Sequence, residues 1–169
     1  MVTREGERPP RRRWLALGGR LVRLLCRPTE RTSDLVRKSY NGIACGYDDA
    51  WTHHMRDQSL AMLDVLAPPA GAGCLDLACG TGFVTRELAK RSGGQAIGLD
   101  SSAGMLAVAS RQHGDKCTFV QAEAVGYLRS LPRHSVDVVT CAWGLGYTQP
   151  WRIIREAAVF CAPVDASVS

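Results

Sequence analysis

The stretch LDLACGTGFVTRELAKR, residues 75–91, decides the fold. An apolar run with an acid near its start breaks into Gly80-Thr81-Gly82 and then turns into a helical pattern. That order predicts a strand, a glycine-kinked turn and a helix start, the unit at which doubly wound sheets bind ligands. Gly80 and Gly82 let the backbone reverse sharply and let a ligand approach with no Cβ in the way. The helix from Phe83 offers free N–H groups at its start, which suit a carboxylate or phosphate. Asp76 lies inside the strand, four residues before Gly80, placed to orient the loop or a water, or to face a cationic group.

Outward from this stretch, strands and helices alternate. The apolar runs predict strands at 74–78, 95–99, 117–121 and 136–142. Helical patterns fall between and after them, at 83–91, 103–112, 125–131 and 151–161. Short apolar strands separated by helices predict an α/β fold, a doubly wound parallel sheet covered on both faces. Upstream, Ser33 or Asp34 can cap a helix running to about Cys45, with a turn at 46–49. A second helix is expected at 59–66, ended by Pro68-Pro69.

Three further segments carry candidate ligand contacts. In GLDSSAGML (98–106), Asp100 ends the second strand 18 residues after Gly82. An acid there can accept both hydroxyls of a ribose. In FVQAEAVGYL (119–128), Ala122 and Glu123 follow the third strand, where an adenine edge could be read. VDVVTCAWGLGY (136–147) ends its strand at Ala142-Trp143-Gly144, beside the far end of such a ligand.

Together these segments resemble the class I S-adenosylmethionine-dependent methyltransferases, in the type 11, ubiquinone/menaquinone-biosynthesis-like branch that acts on small molecules. LDLACGTG looks like that family's first motif, with Ala78 where many members have glycine. GLDSSAGML is similar to the second motif, FVQAEA to the third and SVDVVTCAWGL to the fourth. YNGIACGYDDAW (40–51) resembles the segment ahead of the sheet whose tyrosine closes over the cofactor, and Tyr47 matches that tyrosine. The resemblance spans about residues 38–163.

The resemblance implies S-adenosylmethionine as cofactor and a small-molecule methyl acceptor. It implies that Ala78, Gly80 and Gly82 hold the methionine end, with Asp76 behind them, and that Asp100 binds the ribose. Ser101 and Met105 would lie near the adenine, Ala122 and Glu123 at its amino side, and Trp143 at the methyl-transfer pocket. Glu123 stands where the family often has Asp. No catalytic residue is implied, because the sulfonium is already activated and transfer mainly needs orientation. His53, His54 and Asp48 are candidate bases, although a solvated helix start explains the two histidines more simply.

Late strands of the family's fold are not found. REAAVFCAPVDASVS (155–169) starts like the family's REAARVLKPGG, with Val164-Asp165 where paired glycines should be. The expectation is therefore a domain truncated at its C-terminus, over residues 32–163, with a tail at 164–169. An unpaired outer edge on the fourth strand would invite self-association. A methyltransferase-like binding module without catalysis is the alternative function. A nicotinamide-dependent oxidoreductase is disfavoured, because the third glycine of G-x-G-x-x-G is missing.

The whole-chain charge of +5 hides an asymmetry. Residues 1–40 hold eleven Lys/Arg against four Asp/Glu, while residues 41–169 hold ten against twelve. The domain body is thus slightly acidic, which argues against a nucleic-acid face. The basic part, residues 1–31, reads as an extension with disorder expected over 1–13. Within it, residues 11–27 allow peripheral contact with an anionic membrane surface, with a plain or packed extension as the alternative. Arg20 and Arg23 interrupt any signal-peptide core, so a cytoplasmic location is expected. Seven cysteines without CxxC spacing suggest reduced, buried thiols and no zinc site.

Overall fold

The computed structural model describes residues 32–147 and 150–161; the predicted basic extension and the 164–169 tail lie outside them. Four parallel strands form the sheet: β1 (Cys74–Leu77), β2 (Ala96–Asp100), β3 (Thr118–Gln121) and β4 (Val138–Thr140). Their order is β3-β2-β1-β4. The chain runs outward from β1 to β3 and then returns to place β4 on the other side of β1. The order therefore reverses between β1 and β4, where such sheets open a crevice at the strands' carboxyl ends.

Helices α1 (Thr32–Ile43) and α2 (His53–Leu66) precede the sheet. Helices α3 (Phe83–Ser92), α4 (Ala103–His113) and α5 (Ala124–Ser130) are the crossovers, and α6 (Pro150–Phe160) follows β4. β1 is central and all four of its residues are buried. Its side chains alternate between two apolar clusters, as strand periodicity requires. Cys74 joins Leu63, Val84, Leu88 and Val138 on one face. Leu75 and Leu77 join Leu99, Leu128 and Ile153 on the other.

The expected alternation is present, and the differences are local. The second helix starts at His53, six residues before the expected start at Ser59. The stretch expected to be a turn at 46–49 is helical instead: a 3-10 turn at Ala44–Gly46 leads into a π-turn at Asp48–Thr52. Tyr47 packs on Tyr40 with ring centroids 6.0 Å apart, which favours the compact coil over an open turn. β4 spans only Val138–Thr140 rather than 136–142. Val136 instead forms an isolated parallel bridge with Cys161, so the chain just after α6 returns alongside the base of β4. Helix α6 leaves Trp151 59% and Ile154 63% exposed.

The turn into α3 depends on glycine. Gly82 caps the helix in the left-handed region with φ 86°. A Cβ there would stand 2.8 Å from the Phe119 ring on β3. Gly82→Ala should therefore destabilise the protein by about 2–4 kcal/mol through backbone strain and overpacking together. Gly80 has φ 56° and no atom within 4 Å of its Cβ position. Gly80→Ala should cost only about 1–2 kcal/mol, from strain alone. Urea unfolding of both variants measures the difference, and equal losses would refute the packing role of Gly82.

Candidate functional site

Asp76 is the most buried acid of the crevice, at 2% exposure. The register pairs it with Gly98 on β2 and Thr140 on β4. Thr140 donates its hydroxyl to Oδ1 at 2.8 Å, and Thr85 on the first turn of α3 donates to Oδ2 at 2.8 Å. Burial pushes the carboxyl up to about 6, with the nearby Asp100 adding to the rise and the threonine hydroxyls opposing it. The helpers Thr85 and Thr140 were not singled out in the sequence. A hydroxyl on the first turn of α3 and one opposite Asp76 on β4 were the available signals.

Between β1 and α3 the backbone visits the left-handed region three times, at Ala78 (φ 54°), Gly80 (φ 56°) and Gly82 (φ 86°). Ala78 adopts there a conformation that favours glycine, at a cost of about 1–2 kcal/mol. Its methyl fills the space beside Gly144, where a Cβ would fall 2.2 Å away. The loop is tied to β2 by Cys79 N donating to Leu99 O at 2.9 Å and by Gly80 N donating to Asp100 Oδ2 at 2.9 Å. The other carboxylate oxygen of Asp100 accepts from Ser102 N at 2.8 Å. Burial raises the Asp100 carboxyl, and the N–H donors of Ser102, Gly80 and Ser101 work against that rise.

A cleft open to solvent lies over this loop. It brings together Tyr47, Asp76, Ala78, Gly80 and Trp143 from the predicted set, and adds Met55, Ser59, Thr81, Phe83 and Ala142. Trp143 follows β4 and reaches across to α2, where its Nε1 donates to Ser59 Oγ at 2.9 Å. Gly82 is buried beneath the loop. Met105 is buried against Ala44, Val108, Tyr40 and Tyr47. Ser101 is exposed, and its carbonyl accepts from Gln121 Nε2 at 3.1 Å. Ala122 N donates to Asp100 O at 3.1 Å, joining the ends of β2 and β3. The Glu123 side chain caps α5, accepting from Gly126 N at 2.8 Å. It is held on its own helix, while Asp100 is held toward the glycine loop.

Of the candidate bases, His53 has a side chain that lies outside the described part of the structure. His54 is exposed on α2. Asp48 accepts from Thr81 Oγ1 at 2.6 Å and from Gln112 Nε2 at 3.0 Å, so it ties the segment before α2 to the glycine loop. Burial raises the Cys79 thiol well above its usual range and the Cys141 thiol to about 11, which suits structural rather than nucleophilic cysteines. Among the described residues no cluster of His, Cys, Asp and Glu could hold a metal ion. No described helix is long and apolar enough to cross a membrane.

Residues 74–163 match the family described as "Methyltransferase domain". The chain is 39% identical over 142 residues to a ubiquinone/menaquinone biosynthesis C-methyltransferase of Hahella chejuensis, covering 76% of this chain and 55% of that one. It is 49% identical over 65 residues to a 2-phytyl-1,4-naphtoquinone methyltransferase of Thermosynechococcus vestitus, covering 37% of this chain and 28% of that one. This chain thus spans about half or less of these relatives' lengths. Among solved structures, the DhpI-SAM-HEP complex superposes with a TM-score of 0.58 at 29% identity, over 78% of this chain and 60% of that one.

The raised carboxyl of Asp76 has a consequence for stability. Between the usual 3.8 and about 6, the folded state keeps a proton that the unfolded chain has released. The folded state then binds more protons, so stability falls as pH rises through this window, by about 3 kcal/mol in all. Asp76→Asn should remove that part of the slope. Urea unfolding at about pH 4 and about pH 7 tests it, and an unchanged slope in the variant would contradict the assignment.

Proposed function

The chain belongs to the methyltransferase-domain family, and we propose on that premise that it binds S-adenosylmethionine and transfers its methyl group to a small, quinone-type acceptor. The observation that carries this reading is the carboxylate of Asp100, fixed at the end of β2 by the N–H groups of Gly80 and Ser102. The carboxylate has acceptor capacity beyond these two bonds, so a ribose hydroxyl can be met without breaking them. Open space over Gly80 leaves room for the methionine end. Ala122 and Ser101 stand at the neighbouring strand ends, with Met105 buried behind Ser101. In this reading Glu123 offers its backbone to the adenine, because its carboxylate is committed to α5.

When bound, S-adenosylmethionine supplies an activated methyl on a sulfonium sulfur. The chain's own work is to hold, orient and dry that centre. Tyr47, Phe83 and Trp143 line the cleft, where aromatic rings attract a cation more strongly once water is excluded; the guanidinium of Arg56 already lies over the Phe83 ring, 5.3 Å from its centroid. The same aromatic and thioether lining suits a flat, apolar acceptor. The quinone biosynthesis relatives support that acceptor class, and a binding module without turnover is the second reading.

Calorimetry with S-adenosylmethionine and S-adenosylhomocysteine tests the reading, with one-to-one binding expected for both. Asp100→Ala should weaken binding by about 1.5–3 kcal/mol for each charge-assisted hydrogen bond lost. A flat trace for both ligands would remove the proposal. Binding without methyl transfer to a soluble demethylated quinone would favour the second reading.

A further inference from the structure

Ser102, the N-cap of α4, is 1% exposed, and its N–H and hydroxyl make three hydrogen bonds. Its N–H donates to Asp100 Oδ1 at 2.8 Å. Its Oγ accepts from Met105 N at 3.1 Å. Its hydroxyl proton goes to Asn41 Oδ1 on α1, at 2.7 Å. The same Asn41 oxygen accepts from Gly104 N at 2.9 Å. A backbone N–H can only donate, so the contact with Gly104 fixes which end of the Asn41 amide faces α4. Asn41, 61 residues before Ser102 in the sequence, is thus two hydrogen bonds away from the carboxylate of Asp100.

A steric observation points the same way. A Cβ on Gly104 would stand 3.0 Å from both Cα and O of Asn41. Helix α1 therefore approaches the first turn of α4 more closely than a side chain at position 104 would allow. Tyr40, Ala44 and Tyr47 pack on Met105 and Val108 along the same contact.

We propose that Asn41 is a positioning residue for ribose recognition, acting through Ser102 on Asp100. The inference rests on the reading of Asp100 as the ribose acceptor. Asn41 holds the Ser102 hydroxyl and the start of α4 together. That fixes the 100–102 turn and with it Oδ1 of Asp100. A carboxylate that must meet two hydroxyls at a set spacing depends on such fixing more than one that only supplies charge. Because Asn41 belongs to α1, and Tyr47 in the cleft follows shortly after it, docking of this segment and preparation of the ribose site become one event.

The test is the preference for S-adenosylhomocysteine over its 2′-deoxyribose analogue, measured by calorimetry on the full chain. Wild type should prefer the ribose ligand, and Asn41→Ala should cut that preference by about tenfold, the scale of losing one charge-assisted hydrogen bond. Asn41→Asp keeps the accepting oxygen and should retain the preference. Gly104→Ala, which presses a methyl against Asn41 and wedges α1 away while leaving the Asn41 side chain itself unaltered, should reproduce the loss and stands in if Asn41→Ala does not fold. Equal weakening of both ligands, with the preference intact, would overturn the proposal and leave Asn41 a purely structural residue. Wild type binding neither ligand would instead overturn the function proposed above.

Discussion

The glycine loop and the turn after β2 are joined through one carboxylate. Asp100 takes the Gly80 N–H on one oxygen and the Ser102 N–H on the other. Those two bonds set the loop that follows β1 against the loop that follows β2, at the open end of the sheet. Neither loop has regular structure of its own, so their spacing cannot come from the strand ladder alone. Remove the carboxylate, and two half-buried N–H groups lose their partner while both loops gain freedom. The cleft over Gly80, the placement of Ser101 and the start of α4 all follow from this one bridge.

The bridge is surrounded by strain. Burial raises the carboxyls of both Asp76 and Asp100, and the charge of Asp100 adds to the rise at Asp76. Ala78 sits in a left-handed conformation with its methyl against Gly144. Costs of this kind persist where surrounding structure fixes them, and they gather at functional sites. Here the fixing comes from Thr85 and Thr140 on Asp76, and from the segment before α2, which Asp48 ties to Thr81. A protein selected for stability alone would place neither acid there.

Much of this was legible in the sequence, for physical reasons. The four strands are short apolar runs, and the positions of Gly80, Gly82 and Asp100 are fixed by where those runs end. The misses are also instructive. Residues 53–58, HHMRDQ, carry almost no apolar stripe, so periodicity could not extend α2 back to His53; Met55 alone reaches the cleft. Gly46-Tyr47-Asp48-Asp49 has turn chemistry, yet it is coiled into helix where Tyr40 packs on Tyr47 and Thr81, far along the chain, bonds Asp48. Glu123 follows the end of β3, but which way its carboxylate points is decided by the N–H of Gly126. The role of Ser102 as a hub is a matter of three partners in space, of which one is 61 residues away.

Amide hydrogen exchange at Gly80 and Ser102 tests the central bridge most directly. Both amides should exchange far more slowly than an unstructured loop, and Asp100→Ala should accelerate both together while leaving the core amides of β1 slow. A Gly80 amide that exchanges freely in the wild-type protein, or that stays protected without the Asp100 carboxylate, would contradict the account.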